Sequence, residues 1–207
     1  MTSFDLKAWR TLVPLERVRN PAPVVGVLRL DGNIGRAHRF GAGLSLQTLA
    51  ERIYRVFSLR NLKAVALAVN SPGGSPVQSA MIAKRIRALA AEKEVPVYAF
   101  AEDVAASGGY ILLAAADTLY ADPSSIIGSI GVVSSGFGFT DLIDKLGVER
   151  RLHTAGEKKS MLDPFLPEKE DERVRLRAIQ DEMHNTFKGY VRERRQGKLE
   201  SGGDYLF

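Results

Sequence analysis

One serine stands in a distinctive setting within the segment EDVAASGGYILLAAAD, residues 102–117. Ser107 follows two alanines and precedes Gly108 and Gly109, immediately before an apolar run typical of a buried helix. Because glycine pairs are poor helix formers, the segment predicts a turn that delivers Ser107 to the start of a helix. At such a position a hydroxyl can act as a nucleophile.

A serine nucleophile needs a base, because its hydroxyl is unreactive at its own pKa. Histidine is the usual base, and the chain contains only His38, His153 and His184. The pattern predicts His38 in a loop and His184 in a charged helix, and none has the flanking Gly or Asp that a Ser-His-Asp triad would suggest. The sequence therefore disfavours a triad.

A lysine can replace histidine if desolvation lowers its pKa until the amine is neutral. The segment HTAGEKKSMLDPF, residues 153–165, places Lys158 and Lys159 between a glycine and an apolar patch that ends in Pro164 and Phe165. Either lysine can turn inward, and both can equally be solvated loop residues. The residue pattern alone leaves this choice open.

Apolar runs predict the elements that must position these side chains. Strands and helices alternate, which is typical of an α/β fold with a mostly parallel sheet flanked by helices. Ligand sites in such sheets lie beyond the carboxyl ends of the strands, where both NSPGGS and AASGGY fall. The predicted strands are 23–32, 62–69, 95–102, 118–133 and 148–154, and the predicted helices are 45–61, 77–93, 110–116, 140–147 and 166–198.

Four motifs occur in a fixed order: NSPGGS, AASGGY, PSSIIGSIGVV and GEKKSMLDPF. In this order and at these intervals they resemble the signal peptide peptidase A family of Ser-Lys serine peptidases. The resemblance covers roughly residues 24–187. It implies the Clp protease/crotonase-like superhelical α/β fold.

The resemblance also implies roles for individual residues. Ser107 corresponds to the family nucleophile, Lys159 to the general base, and Ser129 in GSIG to the serine that orients the lysine. Lys159 is singled out over Lys158 by the family pattern G-x-x-K-S-x-x-x-P-F, which Gly156, Lys159, Ser160, Pro164 and Phe165 match.

The implied reaction is peptide hydrolysis through an acyl-enzyme on Ser107, without a cofactor or metal. Gly73 and Gly74 are the expected oxyanion-hole residues, with Gly108 as a further donor, because glycine lets the main chain approach a substrate closely. The expected substrates are hydrophobic or unstructured peptides such as remnant signal peptides.

The predicted organisation is an N-terminal arm over residues 1–22 and one peptidase domain over residues 23–207. Relatives usually continue beyond GDYLF, so the C-terminal end is expected to be truncated at Phe207. The resemblance also implies a homo-oligomer, a ring or dome, in which adjacent subunits can contribute residues to one site.

Composition excludes several classes of protein. The absence of cysteine excludes disulfides, thiolate metal sites and a cysteine nucleophile. The net charge of +5 is not arranged as a basic patch interleaved with aromatics, so we expect no nucleic-acid partner. No apolar run of membrane-spanning length and no signal peptide occur, which favours a cytoplasmic location. Residues 4–19 mix apolar and basic side chains, so they can either contact the inner membrane surface or pack on protein.

Two alternatives share the expected fold. A crotonase-like acyl-CoA enzyme would use a carboxylate such as Glu102 or Asp103 as its base and would need neither Ser107 nor the GEKKS lysine. A catalytically inactive scaffold would keep the fold without the reaction.

Overall fold

The structure is a computed structural model that describes residues 21–35, 43–156, 158–199 and 207. It divides the chain into two compact units, Met1–Ser129 and Ile130–Phe207, here called unit 1 and unit 2. Almost all of the predicted N-terminal arm, including residues 4–19, lies outside the described residues. The single domain over residues 23–207 stays a prediction.

Unit 1 is built on a five-stranded sheet in which every pairing is parallel. The strand order is β1-β2-β3-β4, and β5 pairs with β3 beyond the end of β4. Helices alternate with the first strands, which confirms the predicted α/β class with a parallel sheet flanked by helices. The elements are β1 Val24–Asp31, α1 Leu46–Phe57, β2 Leu62–Ser71, α2 Pro76–Lys93, β3 Val97–Ala106, α3 Gly108–Leu113, β4 Thr118–Ala121 and β5 Ile126–Gly128.

Serine caps start the two long helices of unit 1. Ser45 Oγ accepts a hydrogen bond from the Thr48 N–H, while Thr48 Oγ1 accepts one from the Ser45 N–H, forming a reciprocal capping box before α1. Ser75 caps α2 through the Gln78 N–H, and Pro76 occupies the first turn. Helix α2 therefore begins directly after the PGG turn and fixes one end of it.

The core of unit 1 lies between the sheet and its helices. In β1, Leu28 and Leu30 are buried while Val25 and Val27 on the opposite face are exposed. Strand β2 is buried more continuously, as expected for a central parallel strand. Central strands held in this way give the segments that follow β2 and β3 a rigid base.

Unit 2 contains two helices among its described residues, α4 Thr140–Lys145 and α5 Glu170–Arg194. The predicted strand over 148–154 is wrong, because these residues are mostly exposed and pair with no strand in the described part of the chain. Its charged side chains form local ion pairs instead, such as Arg151 with Glu149.

Two predicted elements that follow Ser107 in the chain also differ from the structure. The strand predicted over 118–133 is split into β4 and β5 by a turn at Asp122, whose carboxylate accepts from the Ser124 N–H and whose carbonyl accepts from the Ser125 N–H. The helix predicted over 110–116 begins earlier, at Gly108, and ends at Leu113. The early start places Ser107 directly at the helix boundary.

Candidate active site

Ser107 occupies the junction between β3 and α3 in a strained backbone conformation. Its φ is 52° and its ψ is −120°, a region that residues with a Cβ rarely adopt. Such a conformation costs about 1–3 kcal/mol and persists only where the surroundings impose it. Here the Ser107 N–H donates to the Gly128 carbonyl at 2.8 Å, and the Ser107 carbonyl accepts from the Tyr110 N–H at 2.9 Å.

The Ser107 hydroxyl is not used in capping the helix that it precedes. The residue is half-buried, between the buried Ala106 and the buried Gly108. The N–H and the carbonyl of Ser107 are thus both hydrogen-bonded, while its side-chain oxygen stays available for chemistry.

The PGG turn after β2 packs directly on Ser107. A Cβ at Gly73 would lie 2.8 Å from the Ser107 Cβ and 2.8 Å from the Gly108 nitrogen, so only glycine fits there. A Cβ at Gly74 would lie 2.0 Å from the Ile34 carbonyl oxygen, and its φ of 140° is also unfavourable for other residues. The Ile34 N–H donates to the Gly73 carbonyl and the Ser75 N–H donates to the Ile34 carbonyl, both at 2.8 Å.

The backbone N–H groups around Ser107 are not equivalent. The Gly73 N–H donates to Ser71 Oγ at 3.2 Å. Within the described part of the chain, the Gly74 and Gly108 N–H groups have no hydrogen-bond acceptor. The Gly74 nitrogen lies 3.4 Å from the position that a Cβ on Gly108 would take. Of the three predicted oxyanion-hole residues, Gly74 and Gly108 thus have an available donor, whereas Gly73 provides the close approach.

Ser129 lies in unit 1, directly after the residue that holds Ser107. It follows Gly128, whose carbonyl accepts the Ser107 N–H, and its own φ is 53°. The Ser129 residue is exposed. The structure therefore brings together Ser107, Ser129 and the three predicted oxyanion-hole glycines, all of them in unit 1.

Lys159 lies in unit 2, and this residue is exposed. The neighbouring Lys158 is already paired with the Asp171 carboxylate, and the hydrogen bond from Lys158 is the main reason that the pKa of Asp171 lies below its ordinary value. Among the residues the structure describes, Lys159 Nζ has no such partner. Both lysines are exposed, and they differ in that Lys158 is paired with Asp171. The choice of Lys159 as the base stays a prediction.

The loop that carries Lys159 is anchored by polar contacts that follow it. Asp163 accepts hydrogen bonds from the Phe165 N–H and from Arg150, both at 2.9 Å, and its side chain is only 7% exposed. The Leu162 N–H donates to the buried Glu172 carboxylate at 2.9 Å. A cavity of about 620 Å³ lies beside this loop within unit 2. The residues after Lys159 therefore fix the loop, while Lys159 itself projects to solvent.

The alternative bases are less well placed. His184 Nε2 lies 3.1 Å from the Ile130 carbonyl oxygen, His153 is exposed, and His38 lies outside the described residues. Glu102 is engaged with Arg29 at 2.8 Å, and Asp103 is exposed. Among the residues described, no cluster of three or more His, Cys, Asp or Glu side chains is arranged to hold a metal.

Two buried or half-buried polar residues of β2 were missed by the sequence reasoning. Ser71 is fully buried and binds the Gly73 N–H, and Asn70 bonds across to β3. Both precede the PGG turn in NSPGGS, so a signal was present. The signal is that two polar residues, Asn70 and Ser71, directly follow an apolar run.

Comparison with known proteins gives a family match for this chain. Residues 89–201 match the model described as Peptidase family S49. The chain is 32% identical over 152 residues to the chloroplastic serine protease SPPA of Arabidopsis thaliana, covering 70% of this chain and 22% of that protein. It is 33% identical over 131 residues to the probable protease SohB of Buchnera aphidicola subsp. Acyrthosiphon pisum, covering 63% and 39%.

Another relative carries a different name. The chain is 50% identical over 198 residues to the Na⁺/H⁺ antiporter NhaA of Brucella melitensis biotype 1, covering 94% of this chain and 26% of that protein. The chain thus spans well under half the length of each of these three curated relatives. None of the helices described here is both long enough and apolar enough to cross a membrane. By the family match over more than half of its length, the chain belongs to peptidase family S49.

Proposed function

We propose that this chain is a serine endopeptidase of the signal peptide peptidase A type, with Ser107 as nucleophile and Lys159 as general base. The observation that carries the proposal is the strained Ser107 with two available N–H groups, those of Gly74 and Gly108, beside it. A hydroxyl held next to two unused backbone donors is the arrangement that acyl transfer requires.

The proposed reaction uses these residues as follows. Ser107 Oγ attacks the peptide carbonyl carbon while neutral Lys159 Nζ takes the hydroxyl proton. The negative charge on the former carbonyl oxygen is stabilised by the Gly74 and Gly108 N–H groups. The C–N bond then breaks, and Lys159 returns the proton to the leaving amine. Water attacks the acyl-enzyme by the same route and releases Ser107.

The lysine must be desolvated for this chemistry, because a fully solvated lysine amine stays protonated at neutral pH, and only the neutral amine can accept a proton. Since Lys159 is exposed in the described chain, the proposal requires a further surface to cover it. A neighbouring subunit of a ring or dome would provide such a surface, and bound peptide would add to it. Ser129, with its exposed side chain after Gly128, is the proposed hydrogen-bond partner that orients the amine.

The proposed substrates are hydrophobic or unstructured peptides, including remnant signal peptides. An extended peptide fits the mechanism, because the Gly74 and Gly108 donors must reach a main-chain carbonyl that is not already hydrogen-bonded. The substrate class rests on the resemblance of the four motifs to signal peptide peptidase A, whereas the name of the chloroplastic relative supports only a serine protease.

The test combines an active-site-directed fluorophosphonate with a fluorogenic hydrophobic peptide. Wild type, Ser107→Ala, Lys159→Ala and the matched control Lys158→Ala are compared after circular dichroism has shown that each is folded. We expect labelling and cleavage to fall by about 10³-fold or more in the first two variants and to stay close to wild type in Lys158→Ala.

Other results would contradict specific parts of the proposal. Cleavage that survives Lys159→Ala but not Lys158→Ala would identify Lys158, and not Lys159, as the general base. Labelling of a residue other than Ser107 would contradict the assignment of Ser107 as the nucleophile. A folded wild type that neither labels nor cleaves would favour the inactive scaffold.

A further inference from the structure

The strand that carries Ser107 is not regular along its length. Strands β2 and β3 pair in simple register from Val65 with Val97 to Val69 with Ala101, but the next pair joins Ser71 to Ala105. One residue of β2, Asn70, therefore lies opposite three residues of β3, Glu102 to Val104. Strand β3 has a bulge here, three residues before the nucleophile.

The bulge coincides with a change of partner. Before it, β3 pairs with β4 up to Ala101, and after it β3 pairs with β5 from Val104 to Ala106. Only the second pairing leads to Gly128, whose carbonyl accepts the Ser107 N–H. The bulge therefore sets the direction in which β3 delivers Ser107.

A bulge leaves backbone groups without their usual ladder partners, and Asn70 supplies one of the missing acceptors. Asn70 Oδ1 accepts the Val104 N–H at 3.2 Å, in the place where a regular strand would offer a carbonyl. The Asn70 carbonyl is meanwhile engaged with the Gly32 N–H at 2.9 Å. On the other side of the bulge, Ser125 Oγ donates to the Glu102 carbonyl at 2.6 Å.

We propose that Asn70 is a positioning residue for the nucleophile: its side-chain oxygen holds the bulge of β3 in the form that places Ser107 beside the Gly74 and Gly108 N–H groups. The inference rests on the proposed function of Ser107. Asn70 acts through Val104, three residues away along the strand. Without the acceptor, the Val104 N–H is left unpaired, and the bulge relaxes to recover a partner.

The effect on activity follows from geometry. A displacement of about 1 Å at a reacting atom can lower a rate by about 100-fold. Because Asn70 belongs to the strand that ends in the PGG turn, its loss changes the distance between nucleophile and donors. Binding of a peptide elsewhere along the site is much less affected, so kcat should fall while KM changes little.

The test uses a near-isosteric pair at one position. Asn70→Asp keeps an acceptor oxygen at neutral pH, whereas Asn70→Leu has the same shape without one. We expect Asn70→Leu to lower kcat and the fluorophosphonate labelling rate per folded molecule by about 10- to 100-fold. In Asn70→Asp both should stay within about threefold of wild type, since the acceptor is retained.

A second readout is independent of activity. Amide hydrogen exchange measured by NMR should become faster at Val104 and at Ser107 in Asn70→Leu and stay near wild type in Asn70→Asp. If Asn70→Leu fails to fold, the smaller Asn70→Ala is measured in the same way, with the same expected results.

The outcomes separate this proposal from the proposed function. Wild-type kcat per folded molecule in Asn70→Leu, or unchanged exchange at Val104 and Ser107, would overturn the positioning role. A loss of stability with kcat per folded molecule unchanged would show that Asn70 has only a structural role, which would also overturn the positioning role. Absence of Ser107 labelling in wild type would contradict the proposed function instead, while the exchange data would still decide whether Asn70 holds the bulge.

Discussion

The two compact units fix their proposed catalytic residues by different means. Unit 1 has a continuous apolar core, and Ser107 is held by main-chain hydrogen bonds and by glycines that leave no room for a side chain. In unit 2 the buried apolar side chains among the described residues are Ile130, Phe187 and Val191. The Lys159 loop is held mainly by charged groups such as Asp163 and Glu172.

This difference assigns different requirements to the two halves of the proposed dyad. The proposed nucleophile and the proposed oxyanion donors are preorganised by their own unit, as acyl transfer requires. The lysine must lose water to become a base, and its own unit leaves it exposed. We infer that the geometry of the reaction is encoded in unit 1, whereas its general base depends on contacts that cover unit 2.

Among changes that compare the two units, the largest effect should come from a methyl group in the PGG turn. Gly74→Ala would place a Cβ 2.0 Å from the Ile34 carbonyl oxygen, so the turn must move away from Ser107. We expect peptide cleavage and fluorophosphonate labelling to fall by about 100-fold or more. The matched control is Gly136→Ala in unit 2, where a Cβ has no neighbour within 4 Å. Equal activity in the two variants would contradict the preorganised site in unit 1.

Core truncation should distinguish the units by stability. Ile53 of α1 is fully buried, so Ile53→Ala is expected to lower the free energy of unfolding by about 2–5 kcal/mol. Ile179 of α5 is 43% exposed, and Ile179→Ala should change it by no more than about 0.5–1 kcal/mol. Urea unfolding followed by circular dichroism measures both. A larger loss for Ile179→Ala would show that α5 is covered by a surface outside the described chain.

Much of unit 1 can be predicted from the sequence because its signals are local. Apolar runs such as 62–69 indicate buried strands, Ser45 marks a helix start, and the Gly pair after Ser107 marks a turn. These signals succeed because backbone propensity and burial favour the same structure. The parallel order of the strands follows from the alternation with helices.

Other features depend on contacts between distant residues. The bulge opposite Asn70 lies where β3 leaves β4 and joins β5. Residues 102–104 alone contain no pattern that predicts it. The strand predicted over 148–154 was wrong because its apolar residues have no partner strand to pack with in the described chain. Similarly, charge counting treats Lys158 and Lys159 alike and does not predict that Asp171 pairs with Lys158.

The smallest effect concerns acid sensitivity of the Lys159 loop. The Phe165 N–H, followed by Arg150, holds the pKa of Asp163 below its ordinary value of 3.8. Because the folded pKa is lowered, the ionised carboxylate stabilises the loop above the ordinary pKa, and this contribution is lost as the pH falls through the folded value.

We therefore expect Asp163→Asn to lower the thermal midpoint slightly at neutral pH, and the gap from wild type to close as the pH falls below 3.8 and through the folded pKa of Asp163. Arg150→Gln keeps the Phe165 hydrogen bond and removes the second cause, so its pH dependence should lie between those of wild type and Asp163→Asn. A gap that stays constant with pH would mean that Asp163 acts through its shape alone. If the gap closes as expected, the loop that presents Lys159 is held by charge, which the apolar core of unit 1 does not need for Ser107.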